Sequence, residues 1–344
     1  MQAFFPKIAH PFAMSDVSPL RSKLLRTGIQ ESIAAELLQD FTQEVELVRI
    51  ADEPEGDLEI DMWIAPINLK IARRQLPHLR GLQVVQSLMA GVDRLQQLLP
   101  PGLTLCDAQG VHDAPTAEWA LAVILAMQKH LPFYFSLQQQ EDWAGRRQAG
   151  ELSAGSHALP SGLRSPALTD ELEVTTVLIV GYGSIGRAIE LRLAPFGPRI
   201  LRVARRARED VEPVSKLDEL LPQADIVVLI TPLTAETIHL MDAGRIARMK
   251  RGALLVNAAR GPLVDTDALL QALNQGTIRA AIDVTDPEPL PPGHPLWKAP
   301  NLLITPHIAG ASAQFLKRAL KLASEQAQRL ARGEPLINVV ESGY

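Results

Sequence analysis

Apolar residues recur along the chain in two rhythms, short continuous runs and stretches at helical spacing. In the first third the runs are Val45–Ile50, Met62–Ala65, Leu82–Gln86 and Leu103–Cys106, and these predict strands. Helical spacing over Ser32–Phe41, Leu69–Leu76 and Val92–Leu99 predicts helices around and between them, after a loose start. From Val174 the alternation becomes regular. Strands are predicted at Val174–Val180, Arg199–Ala204, Asp225–Ile230, Ala253–Asn257, Ala280–Val284 and Leu302–Thr305, with helices at Ser184–Leu193, Ala243–Met249 and Thr266–Asn274. Strands alternating with helices imply parallel sheets covered on both faces.

Three stretches join or interrupt these series. Thr116–Met127 (TAEWALAVILAM) is apolar on nearly every side, which predicts a buried helix where two domains meet. Asp113 or Thr116 is placed to cap it, with Glu118 in its first turn. Gly145–Leu168 is an aperiodic loop rich in Gly, Ser, Pro, Ala and Arg, a candidate for a subunit interface or a cover over a cleft. Ala311–Arg332 is a long amphipathic helix, closed by Gly333-Glu334-Pro335, expected to leave the second domain and pack back on the first.

The run Val177-Leu178-Ile179-Val180 ends in Gly181-Tyr182-Gly183-Ser184-Ile185-Gly186, and a helical pattern follows at once. A strand, a tight turn and a helix N-terminus in that order form a dinucleotide-phosphate site. Gly181 permits the turn, Gly183 lets backbone N–H groups approach a pyrophosphate, and Gly186 lets helix and strand pack closely. The positive end of the helix suits the negative charge. Gly181, Gly183, Ser184, Ile185 and Gly186 are therefore candidate cofactor contacts in a doubly wound dinucleotide domain.

Length and composition narrow the rest. A chain of 344 residues allows two domains of ordinary size. The net charge of −5, spread along the chain, speaks against a nucleic-acid surface. The single cysteine, Cys106, forbids an internal disulfide, fits a reducing compartment and reads as a buried structural thiol. Met1–Ser18 lacks the continuous apolar core of a signal peptide, and no run reaches the ~20 apolar residues of a membrane span. A cytoplasmic protein with no membrane or nucleic-acid partner is expected.

At the end of the second strand of a dinucleotide domain an acidic residue usually holds the adenosine ribose. Here the stretch reads Val203-Ala204-Arg205-Arg206-Ala207-Arg208, with no carboxylate before Glu209. Forked, charged hydrogen bonds from Arg205 and Arg206 suit a ribose 2′-phosphate, which points to NADP(H) in preference to NAD(H). A solvated basic loop beside bound NAD would leave the same pattern. Three later segments each place a titratable or charged residue just past a strand: Arg260 in Asn257–Asp265, Asp283 and Glu288 in Ala281–Pro289, and His307 in Ile304–Gly310. Singly, each has a bland explanation as a surface arginine, a turn residue or a structural histidine. Together, beside a nicotinamide, they form a proton donor, a carboxylate to tune it and a fixed cation. Ser87–Asp93, at the end of the Leu82–Gln86 strand, offers small residues at Ala90 and Gly91 that could expose N–H groups to a small anion, or make a plain turn. His112-Asp113 is expected to serve loop and cap roles, because adjacent side chains rarely cooperate.

At these motifs the chain resembles the D-isomer-specific 2-hydroxyacid dehydrogenase family, most strongly in Thr231–Thr237, Asn257–Asp265, Asp283–Pro289 and His294–His307. The resemblance implies a doubly wound parallel Rossmann sheet, residues 116–310, inserted in a smaller flavodoxin-like α/β substrate domain formed by residues 1–115 and 311–344. It implies a homodimer acting on a small 2-oxo or 2-hydroxy acid, with no metal. Under it Arg260 would bind the substrate carboxylate, and His307 would protonate the carbonyl oxygen as hydride reaches carbon. Glu288 would pair with His307 and favour the imidazolium. Asp283 would meet the nicotinamide amide, Thr231 and Pro232 would line the cofactor, and backbone N–H groups of Met89, Ala90 and Gly91 would help hold the carboxylate. The expected reaction is NADPH-dependent reduction of a glyoxylate- or hydroxypyruvate-type acid. The alternatives are an NAD-dependent enzyme of the phosphoglycerate dehydrogenase kind, without a further regulatory domain after Tyr344, and a non-catalytic nucleotide-sensing protein. Formate dehydrogenases resemble the pattern less, since they carry an amide where Glu288 stands.

Overall fold

The computed structural model describes residues 24–148 and 171–340. The reading of the N-terminal stretch, and nearly all of the Gly145–Leu168 loop, lie outside the described residues; 144–148 form a 3-10 turn. The chain divides into two compact units. One runs to Ala108 and resumes at Leu316–Val340, and the other is Gln109–Phe315.

In the first unit the strands are β1 (Leu25–Gln30), β2 (Val45–Ile50), β4 (Met62–Ala65), β6 (Val84–Ser87) and β7 (Thr104–Cys106), with a separate pair β3 (Leu58–Glu59) and β5 (Leu79–Arg80). The five-stranded sheet has the order β2-β1-β4-β6-β7 and every pairing is parallel. This is the flavodoxin-like doubly wound order. β1 is a strand the apolar pattern missed, because Arg26, Thr27, Gly28 and Gln30 interrupt it. Packing explains the glycine: a Cβ on Gly28 would stand 2.6 Å from the Ile50 side chain. The helix Phe315–Ala331 belongs to this unit from Leu316 onward, where Ser324 Oγ donates to the Asp40 carbonyl at 2.6 Å.

In the second unit seven strands form one parallel sheet. They are β8 (Thr176–Val180), β9 (Arg199–Ala204), β10 (Glu212–Pro213), β11 (Ile226–Leu229), β12 (Leu254–Asn257), β13 (Arg279–Ile282) and β14 (Leu302–Ile304), in the order β10-β9-β8-β11-β12-β13-β14. That is the Rossmann order with an additional strand. Successive side chains point to opposite faces of a strand, and the core divides accordingly. Leu178, Val180, Val227, Leu229, Leu255 and Ile282 pack with the helices Ala243–Arg248 and Thr266–Asn274. Val177, Ile179, Ile226, Val228 and Val256 pack on the other face with the helices Asp113–Gln128 and Ser184–Leu193.

Several predicted elements need correction. Ser32–Phe41 holds only the 3-10 turn Ala35–Leu37, with none of those three residues buried. A stretch with so little burial has no packed face to support a helix. Val92–Leu99 shrinks to the turn Asp93–Gln96, which buries Leu95 alone. The apolar helix starts earlier than read, at Asp113, because Pro115 fits the first turn without needing an N–H donor. Its N-cap is His112, with no side-chain cap bond, so neither Asp113 nor Thr116 caps it, and Asp113 rather than Glu118 is the acid of its first turn. A second helix, Leu131–Gln139, has no counterpart among the predicted elements. It follows His130, which has a left-handed φ of 53°, and carries Pro132 in its first turn, where a proline fits without continuing a preceding helix.

Among the described residues no single helix is long and apolar enough to cross a membrane. Cys106 is fully buried, and burial pushes its thiol up to about 12. It is therefore not a thiolate near neutral pH, in keeping with a structural role.

Candidate functional site

The glycine turn has the geometry its sequence predicts. Gly181 has a φ of +99°, and a Cβ there would come within 2.5 Å of the Thr231 backbone nitrogen, so conformation and space both demand glycine. Gly186 sits with its ideal Cβ 3.1 Å from the Gly181 carbonyl and 3.3 Å from Ile179, which packs helix against strand. Gly183 differs. Only the Gly181 oxygen, at 4.0 Å, lies near its missing side chain. Nothing in the protein requires glycine there, while a phosphate approaching the backbone would. As N-cap of the Ser184–Leu193 helix, Gly183 has no side chain to bond the first N–H groups, which suits that helix end to an anionic group. The residues present fit a dinucleotide.

Beside the turn, Tyr182 belongs to a network with no sequence signature. Its hydroxyl donates to Glu190 Oε2 at 2.6 Å, Arg202 Nε donates to the same oxygen at 2.7 Å, and a second Arg202 nitrogen reaches Oε1. The guanidinium groups of Arg202 and Arg208 lie 5.6 and 5.8 Å from the Tyr182 ring centre, and Arg208 also donates to the Tyr182 carbonyl. The Arg202 guanidinium, more than the partial burial that opposes it, holds the Glu190 carboxyl below its usual range. A depressed carboxyl stabilises the fold above its ordinary range, and that contribution is lost as pH falls through the folded value. Arg205 and Arg206 follow β9 directly and are exposed. Thr231 and Pro232 follow β11, in a turn closed by Thr237, whose hydroxyl donates to the Pro232 carbonyl at 2.9 Å and accepts the Thr234 N–H at 2.7 Å.

The remaining candidates lie past the ends of three neighbouring strands. Asn257, Ile282 and Ile304 are in register across β12, β13 and β14. Arg260 stands three residues past the first, half-buried, with Nη1 donating to its neighbour's carbonyl at 2.8 Å. Asn257, buried, shapes that loop by donating to the Arg260 carbonyl at 3.0 Å and accepting the Ala259 N–H at 3.0 Å. Gly261 packs so tightly that a Cβ would fall 1.9 Å from the Thr285 carbonyl oxygen. His307 Nδ1 and Glu288 Oε1 are 2.7 Å apart, with side chains 46% and 26% exposed. The ring is thus oriented by a carboxylate while still open to solvent.

Asp283 is 2% exposed, and its carboxylate accepts Thr305 Oγ1 at 2.6 Å, the Ile308 N–H at 2.8 Å and the Ala309 N–H at 2.7 Å. Holding the His307 loop is a task its sequence position did not disclose. His112 takes the loop role expected of it, with Nδ1 3.2 Å from the Gly310 carbonyl and its ring stacked on Phe315.

In the first unit Met89, Ala90 and Gly91 follow β6 and are partly exposed. The Met89 N–H donates to Ser87 Oγ at 2.9 Å, so the turn itself engages that donor. Among the described residues no cluster of His, Cys, Asp and Glu could hold a metal ion.

The family model described as "D-isomer specific 2-hydroxyacid dehydrogenase, NAD binding domain" matches residues 121–309. The glyoxylate reductase of Thermofilum pendens is 35% identical over 263 residues, 74% of this chain and 73% of that one. The D-3-phosphoglycerate dehydrogenase of Methanocaldococcus jannaschii is 29% identical over 321 residues, 91% of this chain but 56% of that one. Among solved structures, the NADPH-dependent glyoxylate/hydroxypyruvate reductase of Sinorhizobium meliloti in complex with NADP and sulfate superposes with a TM-score of 0.74. It is 25% identical, over 93% of this chain and 98% of that one.

Proposed function

Because the chain belongs to the D-isomer-specific 2-hydroxyacid dehydrogenase family and is an NAD(P)-dependent oxidoreductase, we propose that it reduces a small 2-oxo acid of the glyoxylate or hydroxypyruvate type to the D-2-hydroxy acid with NADPH. The observation that carries this reading is the His307–Glu288 pair at 2.7 Å, on the same strand-end edge as the glycine turn. Glu288 accepts from Nδ1–H, which orients the ring and leaves Nε2–H as the proton to be given to the carbonyl oxygen. Arg260 supplies the fixed positive charge for the carboxylate and polarises the neighbouring carbonyl. The bound nicotinamide supplies the hydride. A carboxylate held at a proton donor has a use in oxo-acid reduction and none in passive nucleotide sensing. We take the protein as a homodimer, in keeping with the exposed apolar side chains of Leu131, Phe135 and Trp143.

The test is loss of nicotinamide absorbance with glyoxylate, hydroxypyruvate and pyruvate, each with NADPH and with NADH. Oxidation of NADPH by at least one of them is expected. No oxidation of either cofactor by any of the three would overturn the reading, and activity confined to NADH with a phosphorylated 2-oxo acid would move it to the phosphoglycerate dehydrogenase type.

The preference for NADPH is supported by the exposed Arg205 and Arg206 and by the absence of a carboxylate before Glu209. Replacing both arginines with Ala is expected to raise the NADPH KM by on the order of tenfold to a hundredfold, the equivalent of about one charged hydrogen bond, with the NADH KM little changed. An unaltered NADPH KM would mean that these side chains do not meet the 2′-phosphate.

A further inference from the structure

We propose that Trp119 is a positioning residue for the His307 proton donor, acting through Thr305 and Asp283; this rests on the reading of His307 as the acid. Trp119 lies on the helix Asp113–Gln128, with its ring packed against the core of the second unit. A tryptophan ring set into a core needs an acceptor for its N–H. That acceptor is Thr305 Oγ1 at 3.0 Å. A hydroxyl has one proton to give. Having accepted from the indole, Thr305 directs its own proton to Asp283 Oδ1 at 2.6 Å.

Asp283 then holds the loop around the histidine. Its carboxylate accepts the N–H groups of Ile308 and Ala309, and its carbonyl accepts the His307 N–H at 2.7 Å. Three successive amides are thereby tied to one residue. His307 itself has a φ of +55°. A residue with a Cβ keeps that left-handed conformation only where its surroundings overdetermine it. Here the surroundings are the Asp283 anchors, and the indole fixes the hydroxyl that completes them.

The same helix also meets the far end of the loop. His112, at its N-cap, lies 3.2 Å from the Gly310 carbonyl, and a Cβ on Gly310 would stand 2.9 Å from His112 Nδ1. Thr305 and Gly310 are thus both gripped from one helix, with the proton donor between them. The Glu288 pair fixes the imidazole tip, while this arrangement fixes the backbone from which it projects.

The experiment compares Trp119→Phe, Thr305→Val and Thr305→Ser with wild type. Trp119→Phe keeps an aromatic ring and removes the donor; Thr305→Val removes the hydroxyl and Thr305→Ser restores it. In cofactor-free protein, amide hydrogen exchange of Ile308 and Ala309 is expected to speed up about three- to tenfold in the first two variants, the equivalent of one neutral hydrogen bond, with the Ala281 amide of β13 unchanged. In the holoenzyme kcat falls by a similar factor, the NADPH KM holds within about twofold, and Thr305→Ser stays near wild type. The double variant Trp119→Phe/Thr305→Val is expected to be no worse than Thr305→Val alone, because both remove one connection.

Unchanged exchange at Ile308 and Ala309 in Trp119→Phe would overturn the proposal, as would multiplying effects in the double variant. If Trp119→Phe fails to fold, exchange in Thr305→Val against Thr305→Ser decides it: equal protection in the two refutes the arrangement. An active His307→Ala enzyme would refute the acid assignment instead, while exchange in the cofactor-free protein would still judge whether the indole holds the loop.

Discussion

His307→Ala loses about 10²–10⁴-fold in kcat, the range supplied by a positioned general acid, while NADPH still binds with nearly the affinity of the unaltered protein. The separation follows from where the two jobs are done. The cofactor phosphates are assigned to the turn after β8, whose steric requirements are met by Gly181, Gly186 and the end of β11. His307 is placed by the loop after β14, four strands away in the sheet order. Its imidazole is 46% exposed and its one described side-chain partner is Glu288, so truncation removes a proton donor without opening the core. Steady-state rates measured beside a fluorescence titration with NADPH would check both halves. Turnover within about tenfold of wild type would assign the proton to another group.

Gly261→Ala destabilises the second unit by about 3 kcal/mol or more, at the upper end of what overpacking costs. The new methyl would meet the Thr285 carbonyl oxygen at 1.9 Å and its carbon at 2.2 Å. These are backbone atoms, so no rotamer change relieves the clash. Either the loop carrying Arg260 or the one carrying Glu288 must move, and both follow buried strands. The melting temperature should fall by on the order of 6–12 °C, and activity should drop even well below the new midpoint. A melting temperature within about 2 °C of wild type would show that the two loops separate easily. Gly276→Ala is a useful contrast. It has a left-handed φ of +63° but nothing within 4 Å of its missing Cβ, so its effect is one of backbone strain alone.

The second sheet was legible because buried parallel strands are continuous apolar runs, and Ser184–Leu193, Arg199–Ala204 and Thr266–Asn274 match their predicted limits. The role of Gly186 was legible for a related reason, since the atoms that constrain it belong to Ile179, Gly181 and Tyr182, a few residues away; Gly181 was legible from the turn it makes, although the atoms nearest its missing Cβ belong to Ile230 and Thr231 on another strand end. Elsewhere the determining contacts are distant in sequence. β1 carries Thr27 and Gly28 where a run would carry Val or Ile, and its identity as a strand depends on Ile50 and Ile60 filling the space over Gly28. The resemblance assigns the Asp283 carboxylate to a cofactor amide; the structure adds its bonds to Thr305, Ile308 and Ala309, 22 to 26 positions away, which no local pattern signals. Asn257 closes a predicted strand, and its shaping of the Arg260 loop depends on side-chain bonds that apolar patterning does not register. An asparagine ending a strand before a turn is the signal that could have identified it.

The shared register of Asn257, Ile282 and Ile304 sets a ruler. Neighbouring strands stand about 4.8 Å apart, so the strand ends that precede Arg260 and His307, the residues proposed to hold the carboxylate and deliver the proton, are separated by two such steps, roughly 10 Å. Because the backbone ladder defines that interval, substitutions outside the three strands leave the spacing of these two loop origins unchanged.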